Sequence, residues 1–557
     1  MLKSFFILFP ILALGTLPSR AAEVSGEVIA RLREARSALG LGASDDFVVK
    51  DEMRDELGQV HVRLRQTYRG LPVWGGQAIV HMAPAGDAPP MTDALVRGIR
   101  VEPTPNLAPA EALAVAQDRL APEGAYADPP RAELVIWSET ATPADAGDAP
   151  DATDPSVAQV VLGHHLAYHL HAALENGPGE TRSEDLLVDA HTGAVLKAWS
   201  TLFTARRRRS AALPGRPAHG LGNSQYSGLV PLHIMQALDG FELTDPTRGG
   251  LATRNLAGST SGPGEPFRNP TRTWGDGRNY DPGRGPASPN GQTAAVDAHY
   301  GLQTSWDFYQ QVLGRDGLDG KGTAPVNYVH YAEGYDNAFW SDDCFCMTYG
   351  DGLRLGVLTS LDVVGHEVSH GLCTATADLD YQGESGGLNE ANSDIFGVLI
   401  RFYGRDGQGL GSRVPETRGP WTIGADLGDT PFRHLDRPSL DGHSPDEWSP
   451  GLKDLDPHHA SGPMNRAFYF LAQGASADPD SPAFSPRLPG GMEGIGNDKA
   501  LRIWWRTLST RLTPASGYRQ AREGALQSAK ELYGDGGPEM QAVGKAFRAI
   551  HVGRRTR

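Results

Sequence analysis

Between Leu361 and Thr374 the chain reads Leu-Asp-Val-Val-Gly-His366-Glu367-Val-Ser-His370-Gly-Leu-Cys-Thr, and this run holds the residue types that metal-assisted hydrolysis needs. Two imidazoles at positions i and i+4 share one face of a helix, so both can reach a single ion, with Glu367 beside them as a base for a water. Two neutral histidine nitrogens leave room for a third ligand and an exchangeable water, the open coordination of a catalytic zinc. A third ligand is expected from Glu384-Ser-Gly-Gly-Leu-Asn-Glu390-Ala-Asn-Ser-Asp394. Glu390 lies 24 residues beyond His366, a span that suits a helix, a turn and a returning helix. Asp394 falls one turn later on the same face, where it can orient a ligand imidazole.

To hold these groups the chain needs a helix pair against a rigid support. Residues 211 to about 300 are rich in Gly and Pro and read as strands and long loops. From Ala294 to Leu313 the apolar period lengthens towards helix. Past Leu361 the pattern is mostly helical, closing with Asp498–Leu512, Gly517–Tyr533 and Pro538–His551. A β-rich lobe (210–365) thus precedes a helical lobe (366–557), and the cleft between two such lobes is a natural seat for the site.

The upstream third reads differently. Lys3, the apolar run Phe5–Leu17 and the small residues around Ser19-Arg20-Ala21 form a secretory signal peptide, residues 1–21. The run is too short to span a bilayer, which takes about 20 apolar residues. Alternating runs follow from Asp45 to Met82, with Val60, Val62 and Leu64 on one face and a second strand around Ala78–Met82. Residues 141–156 collapse to Ala, Asp, Pro and Thr, a solvated linker. Strands return at Val160–Leu174 and Leu186–Trp199. The run Arg206–Arg209 before Ser210 is an exposed, protease-accessible junction. Residues 22–209 therefore form a separate segment. A net charge of −16 argues against a nucleic-acid or anionic-membrane partner. Three cysteines, Cys344, Cys346 and Cys373, allow one bridge and no disulfide scaffold.

Several motifs in order resemble the thermolysin-like neutral metallopeptidases, from about Tyr226 to Gly553. They are Asp297-Ala-His-Tyr300, Asn337-Ala-Phe-Trp340, Tyr349-Gly-Asp-Gly352, the His366–His370 helix, Glu390–Gly397, Asp456-Pro-His-His-Ala-Ser-Gly462 and Gly494–Trp505. The resemblance implies an α+β, two-lobed peptidase with zinc in the cleft, preceded by an α+β propeptide that acts as an intramolecular inhibitor. It implies a secreted monomer that acts on proteins and peptides. His366, His370 and Glu390 would hold zinc, and Glu367 would take a proton from the metal-activated water. His458 and Tyr381 would donate to the oxyanion, with Asp456 orienting His458, and Asn389 and Asp394 supporting the ligands. Asn337 and the Ala338 backbone would receive the substrate as an added strand. Arg433 would bind the carbonyl after the scissile bond, and Val363 and Phe432 would line an apolar pocket there. Other readings are an aminopeptidase, for which no acidic clamp is evident, and an inactive zinc-binding module.

The resemblance also implies calcium behind the zinc helices, bound by Asp362 and a second acid. That second position is Arg401 here, so the usual site is expected to be impaired and replaced by an Asp362–Arg401 bridge, unless Asp406 or Asp426 rebuilds it. The likeness puts Cys373 near Cys344 and Cys346, so a bridge to Cys373 is expected. A Cys344–Cys346 link would close a tight ring and is disfavoured. His164, His165, His169, His171 and His191 read as a solvated strand face, with a contact to the mature lobe that is lost on acidification as the alternative.

Overall fold

The computed structural model describes residues 20–82, 91–120, 125–126, 130–141, 160–175, 181–200, 215–406, 411–416 and 419–553. The expected signal segment up to residue 19, the linker beyond 141 and the Arg206–Arg209 run lie outside the described residues.

Residues up to Arg100 make one unit, in which helix Arg20–Ala35 accompanies an antiparallel sheet of Asp45–Arg54, Val60–Tyr68, Leu71–Met82 and Met91–Ala94. Alternation puts Val60, Val62 and Leu64 into its core with Val28 and Leu32 of the helix. The third strand begins well before Ala78, because Gly75, at φ 73°, lets the chain bend and continue pairing.

The second unit runs from Val101 to the C-terminus. It opens with helix Pro109–Leu120 and four antiparallel strands: Arg131–Ala141, Val160–Glu175, Thr181–Asp189 and Val195–Ser200. The histidines expected on a solvated face are largely engaged. His164 meets Ser138, His165 meets Asp189, and His169 and His171 both bond Asp185. Carboxylates from the neighbouring strand occupy the positions that water was expected to fill.

Two small sheets follow. In one, the strand order is Thr244–Asp245, Leu251–Asn255, Val326–Tyr331, Cys346–Gly350 and Ala338–Ser341, which leaves Ala338–Ser341 on the edge. Helix Pro289–Leu313 lies against them, started by Ser288 capping Gly291 N and ended by Gly314 in the left-handed region. One contiguous core then runs from Val230 to Val552, joining strands to the later helices.

The helices that matter most are Leu361–Thr374 and Gly383–Asp406. They cross where Gly365 meets Gly397. A Cβ on Gly397 would come within 2.5 Å of the Asp362 carbonyl oxygen, and one on Gly365 within 3.2 Å of Gly397 Cα. No side chain fits that approach, and the approach brings Glu390 and Asp394 up to His366.

The cysteines correct an expectation. Cys344 and Cys346 are bonded to each other, and Cys373 lies outside the disulfide and is fully buried. Cys373 faces the core of its helix, whereas Phe345, at φ 52°, turns the hairpin so that the Cys344 and Cys346 Cα atoms stand 5.1 Å apart. That separation is within ordinary disulfide range.

Candidate active site

His366 and His370 present their Nε2 atoms 3.2 Å apart from successive turns of the first helix. Glu390, from the returning helix, places Oε2 3.5 Å from His366 Nε2 and Oε1 3.5 Å from His370 Nε2. Ligand atoms about 2.0–2.1 Å from a tetrahedral zinc lie about 3.3 Å from one another, so this triangle fits that ion. Glu390 Oε2 is buried and has no hydrogen-bond partner, as a carboxylate awaiting a cation would. The ligand-capable atoms of His366, Glu367 and His370 also lie within 4.8 Å of one another.

Each ligand's other nitrogen is occupied, which aims Nε2 inward. His366 Nδ1 lies 2.8 Å from Asp394 Oδ1, and His370 Nδ1 lies 2.8 Å from Asn389 Oδ1 and 3.2 Å from Ser393 Oγ. Arg433 in turn clamps Asp394 through one edge of its guanidinium, Nε at 2.8 Å and Nη2 at 2.6 Å. Asn465 Nδ2 donates to the same carboxylate at 2.8 Å. Burial alone would raise the Asp394 pKa, but Arg433 and His366 hold it well below the usual carboxylate range. Against the same burial penalty, neighbouring cations, His458 and Arg433 among them, bring Glu390 down to about 2. His370, buried, is pushed down to about 4 and stays neutral, as a metal ligand must.

Glu367 behaves oppositely. Burial, then the negative charge of Glu390, pushes its carboxyl well above the ordinary range, and its Oε2 has no partner. The two neighbouring acids are thus split in proton affinity, Glu390 held ionised and Glu367 held in favour of its protonated form.

Opposite the helix pair, Asp456 caps a short turn and bonds His458 Nδ1 at 2.7 Å. His458 Nε2 stands 3.5 Å from the Tyr381 hydroxyl and 3.6 Å from Glu390 Oε1. The Tyr381 hydroxyl itself donates to Glu390 Oε1. Tyr381 and His458 therefore flank the carboxylate of the metal triangle.

Of the expected substrate contacts, Asn337 is exposed at the start of the edge strand and its Oδ1 accepts from Ala338 N at 2.9 Å. Val363 is buried on the first helix, and Phe432 packs on Gly424. Arg433 is nearer the ligands than expected, 3.7 Å from Glu390 Oε2. Behind the helices, Arg401 Nη1 bonds Asp362 Oδ2 at 2.7 Å, both residues being fully buried, while Asp426 pairs with Arg405.

Asn465 and Ser393 were missed in the sequence. The only available signal for Asn465 was its place one helical turn after Ser461, in the segment that carries His458. Ser393 was concealed by a neutral residue type next to a more conspicuous acid.

Comparisons with known proteins fall on the same segments. The family model described as thermolysin metallopeptidase, catalytic domain, matches residues 219–374, and that of the alpha-helical domain matches 377–552. The fungalysin/thermolysin propeptide motif matches residues 45–94. The chain is 36% identical to the transglutaminase-activating metalloprotease of Streptomyces mobaraensis over 97% of its own length, and spans 65% of that protein. It is 32% identical to thermolysin of Alicyclobacillus acidocaldarius over 92% of its length and 87% of that enzyme's. A solved precursor of protealysin from Serratia proteamaculans matches 54% of this chain and 87% of that one at 25% identity, with a TM-score of 0.42. The chain belongs to the thermolysin family of zinc metallopeptidases and carries that family's propeptide motif ahead of the catalytic domain.

Proposed function

We propose that the chain is a secreted endopeptidase, made latent, that cleaves proteins and peptides before apolar residues. The observation that carries this reading is the buried His366–His370–Glu390 triangle with the Glu367 carboxyl, whose Oε2 has no hydrogen-bond partner, beside it. Zinc held by those three residues would supply Lewis acidity, able to polarise a carbonyl and to make a water acidic enough to lose a proton near neutral pH. Glu367 accepts that proton and later returns one to the leaving amine.

Tyr381 donates a hydrogen bond to the oxyanion, and protonated His458 donates a second from Nε2 while Asp456 accepts from its Nδ1. Asp394 and Asn389 orient the ligand imidazoles, and Arg433, locked on Asp394, offers its remaining edge to the substrate carbonyl. Asn337 and Ala338 open the sheet edge Ala338–Ser341, to which an extended substrate can add as a strand. Val363 and Phe432 make the pocket after the scissile bond apolar.

In this reading residues 1–21 direct export, 22–209 are an inhibitory propeptide, and 210–365 and 366–557 are the two catalytic lobes of a monomer. Arg401 occupies the place of a calcium-binding acid, so its bond to Asp362 replaces an ion there. The test is hydrolysis of a peptide library by the mature enzyme, with and without a zinc chelator. Chelator-sensitive cleavage before Leu, Ile, Val or Phe is expected. Cleavage that survives zinc removal, or a dominant preference for charged residues at that position, would overturn the reading.

A further inference from the structure

Asp185, on strand Thr181–Asp189, stands in register opposite His171 of strand Val160–Glu175. Its carboxylate holds two imidazoles, His171 Nδ1 at 2.5 Å and His169 Nε2 at 2.8 Å, and His169 is stacked on Trp199. With Nδ1 taken by Asp185, the other nitrogen of His171 has one direction left. It is buried and faces Asp343 Oδ2 at 3.8 Å. Asp343 belongs to the catalytic part, in the turn between edge strand Ala338–Ser341 and strand Cys346–Gly350, a turn closed by the Cys344–Cys346 bond. One imidazole thus lies between carboxylates from opposite sides of the contact. It can donate from both nitrogens only when protonated.

The rest of the surroundings agree in sign. Lys197, one strand further on, lies within the field of Asp380. Arg131 is the backbone partner of His171 on its other side. On the catalytic side, Asp342 neighbours Asp343 and feels Asp378 as well, and burial pushes its own carboxyl up to about 7. Lys197 and Arg131 stand on the propeptide side, and Asp342, Asp343, Asp378 and Asp380 on the catalytic side.

We propose that protonated His171 is the latch by which the propeptide recognises the catalytic domain, and that the Asp342–Cys346 turn is the surface it recognises. The latch rests on the reading of residues 22–209 as an inhibitory propeptide. It grips the far end of the strand assigned to substrate, so the propeptide blocks that edge while the latch is closed. Burial alone would lower the His171 pKa, but the bond to Asp185 and the charges of Asp185 and Asp343 raise it to about 9. Asp185 leaves with the propeptide, so only the share from Asp343 is lost on separation. The contribution is full below the pKa of His171 in the separated propeptide and is lost as pH rises through about 9. Alkali opens the latch and mild acid keeps it closed, the reverse of a histidine contact that is lost on acidification.

The intact Glu367→Gln precursor, which cannot cut itself, allows a direct test by hydrogen exchange of the segment Asp342–Cys346, corrected for intrinsic rates, at pH 7 and pH 10. Opening should rise about fivefold at pH 10, the scale of one partly exposed ion pair, while Leu361–Thr374 changes little. His171→Gln and, from the opposite side, Asp343→Asn should open to the higher level at both pH values. His171→Lys, which keeps its charge to pH 10, should retain the protection. The proposal is overturned if the unaltered latch shows no pH dependence, if both neutral variants keep its profile, or if His171→Lys opens with pH as histidine does. Latency is read separately, as peptide hydrolysis by the wild-type precursor before it is cut. If that matches the mature rate, the propeptide reading fails whatever the exchange shows.

Discussion

Replacing Arg401 by Met keeps the aliphatic stem and removes the guanidinium from a fully buried pair. Asp362 would then retain three donors: Ser360 Oγ at 2.7 Å, Val363 N at 3.0 Å and Gly424 N at 3.0 Å. It would have no counter-charge, and the Pro420 carbonyl would lose its bond from Arg401. Removing one partner of a buried ion pair costs about 3–5 kcal/mol. The three remaining donors place the expected loss near the lower end, about 3 kcal/mol, and at about 2 °C per kcal/mol for a large domain the midpoint should fall by about 6 °C. Thermal inactivation of the mature enzyme measures this, with excess calcium and with a calcium-selective chelator that spares zinc. The parent enzyme should show little calcium dependence that traces to Asp362. Arg401→Glu, which sets two carboxylates together, should be less stable than Arg401→Met without calcium and should regain stability with it. A loss below about 1 kcal/mol for Arg401→Met, the size of a surface pair, would refute the reasoning. So would a large calcium-dependent gain in the parent that disappears in Asp362→Ala.

Tyr381→Phe should lower kcat about a hundredfold with little change in KM, because the hydroxyl acts on charge that develops only in the transition state. An equal rise in KM would instead make Tyr381 a ground-state contact. His458 has a raised pKa: burial opposes it, but the Glu390 charge and the Asp456 bond prevail. Its donating, protonated form therefore persists above the ordinary histidine range, and activity should decline as pH rises through that raised value. Asp456→Asn should move this alkaline limb to lower pH, and an unmoved limb would remove His458 from the assignment. Thiol titration should find no reactive cysteine in the native enzyme and one, Cys373, after denaturation without reductant; three would exclude the Cys344–Cys346 bond.

What could be read from the sequence follows from how local each signal is. His366 and His370 were legible because helical spacing alone puts them on one face, and Glu390 because a returning helix is the simplest way back. The clamp of Arg433 and Asn465 on Asp394 was not legible. Its members lie 39 and 71 residues from that carboxylate, and only the packing of the short strand Arg433–His434 and of helix Gly462–Gln473 against helix Gly383–Asp406 brings them together. The cysteine expectation failed for a related reason. Closeness of two segments says nothing about which way Cys373 points, and its face of the helix is core. The propeptide histidines alternated as a surface strand should, but the acids that engage them come from the next strand and from Asp343, across a contact the sequence does not display. The strands of the N-terminal unit were clear in kind and less so in extent, since Gly75 lets one of them bend rather than stop.

The central claim is a division of labour between two neighbouring acids, Glu390 as ligand and Glu367 as base. It is tested most directly by peptide turnover per bound zinc in Glu367→Gln, matured by an added protease and compared with the parent and with Glu390→Ala. The expected result is a Glu367→Gln enzyme that holds a full equivalent of zinc and has lost at least about a hundredfold in kcat, the scale of general base catalysis, while Glu390→Ala loses metal and activity together. Near-parental turnover by zinc-loaded Glu367→Gln would contradict the assignment of the base.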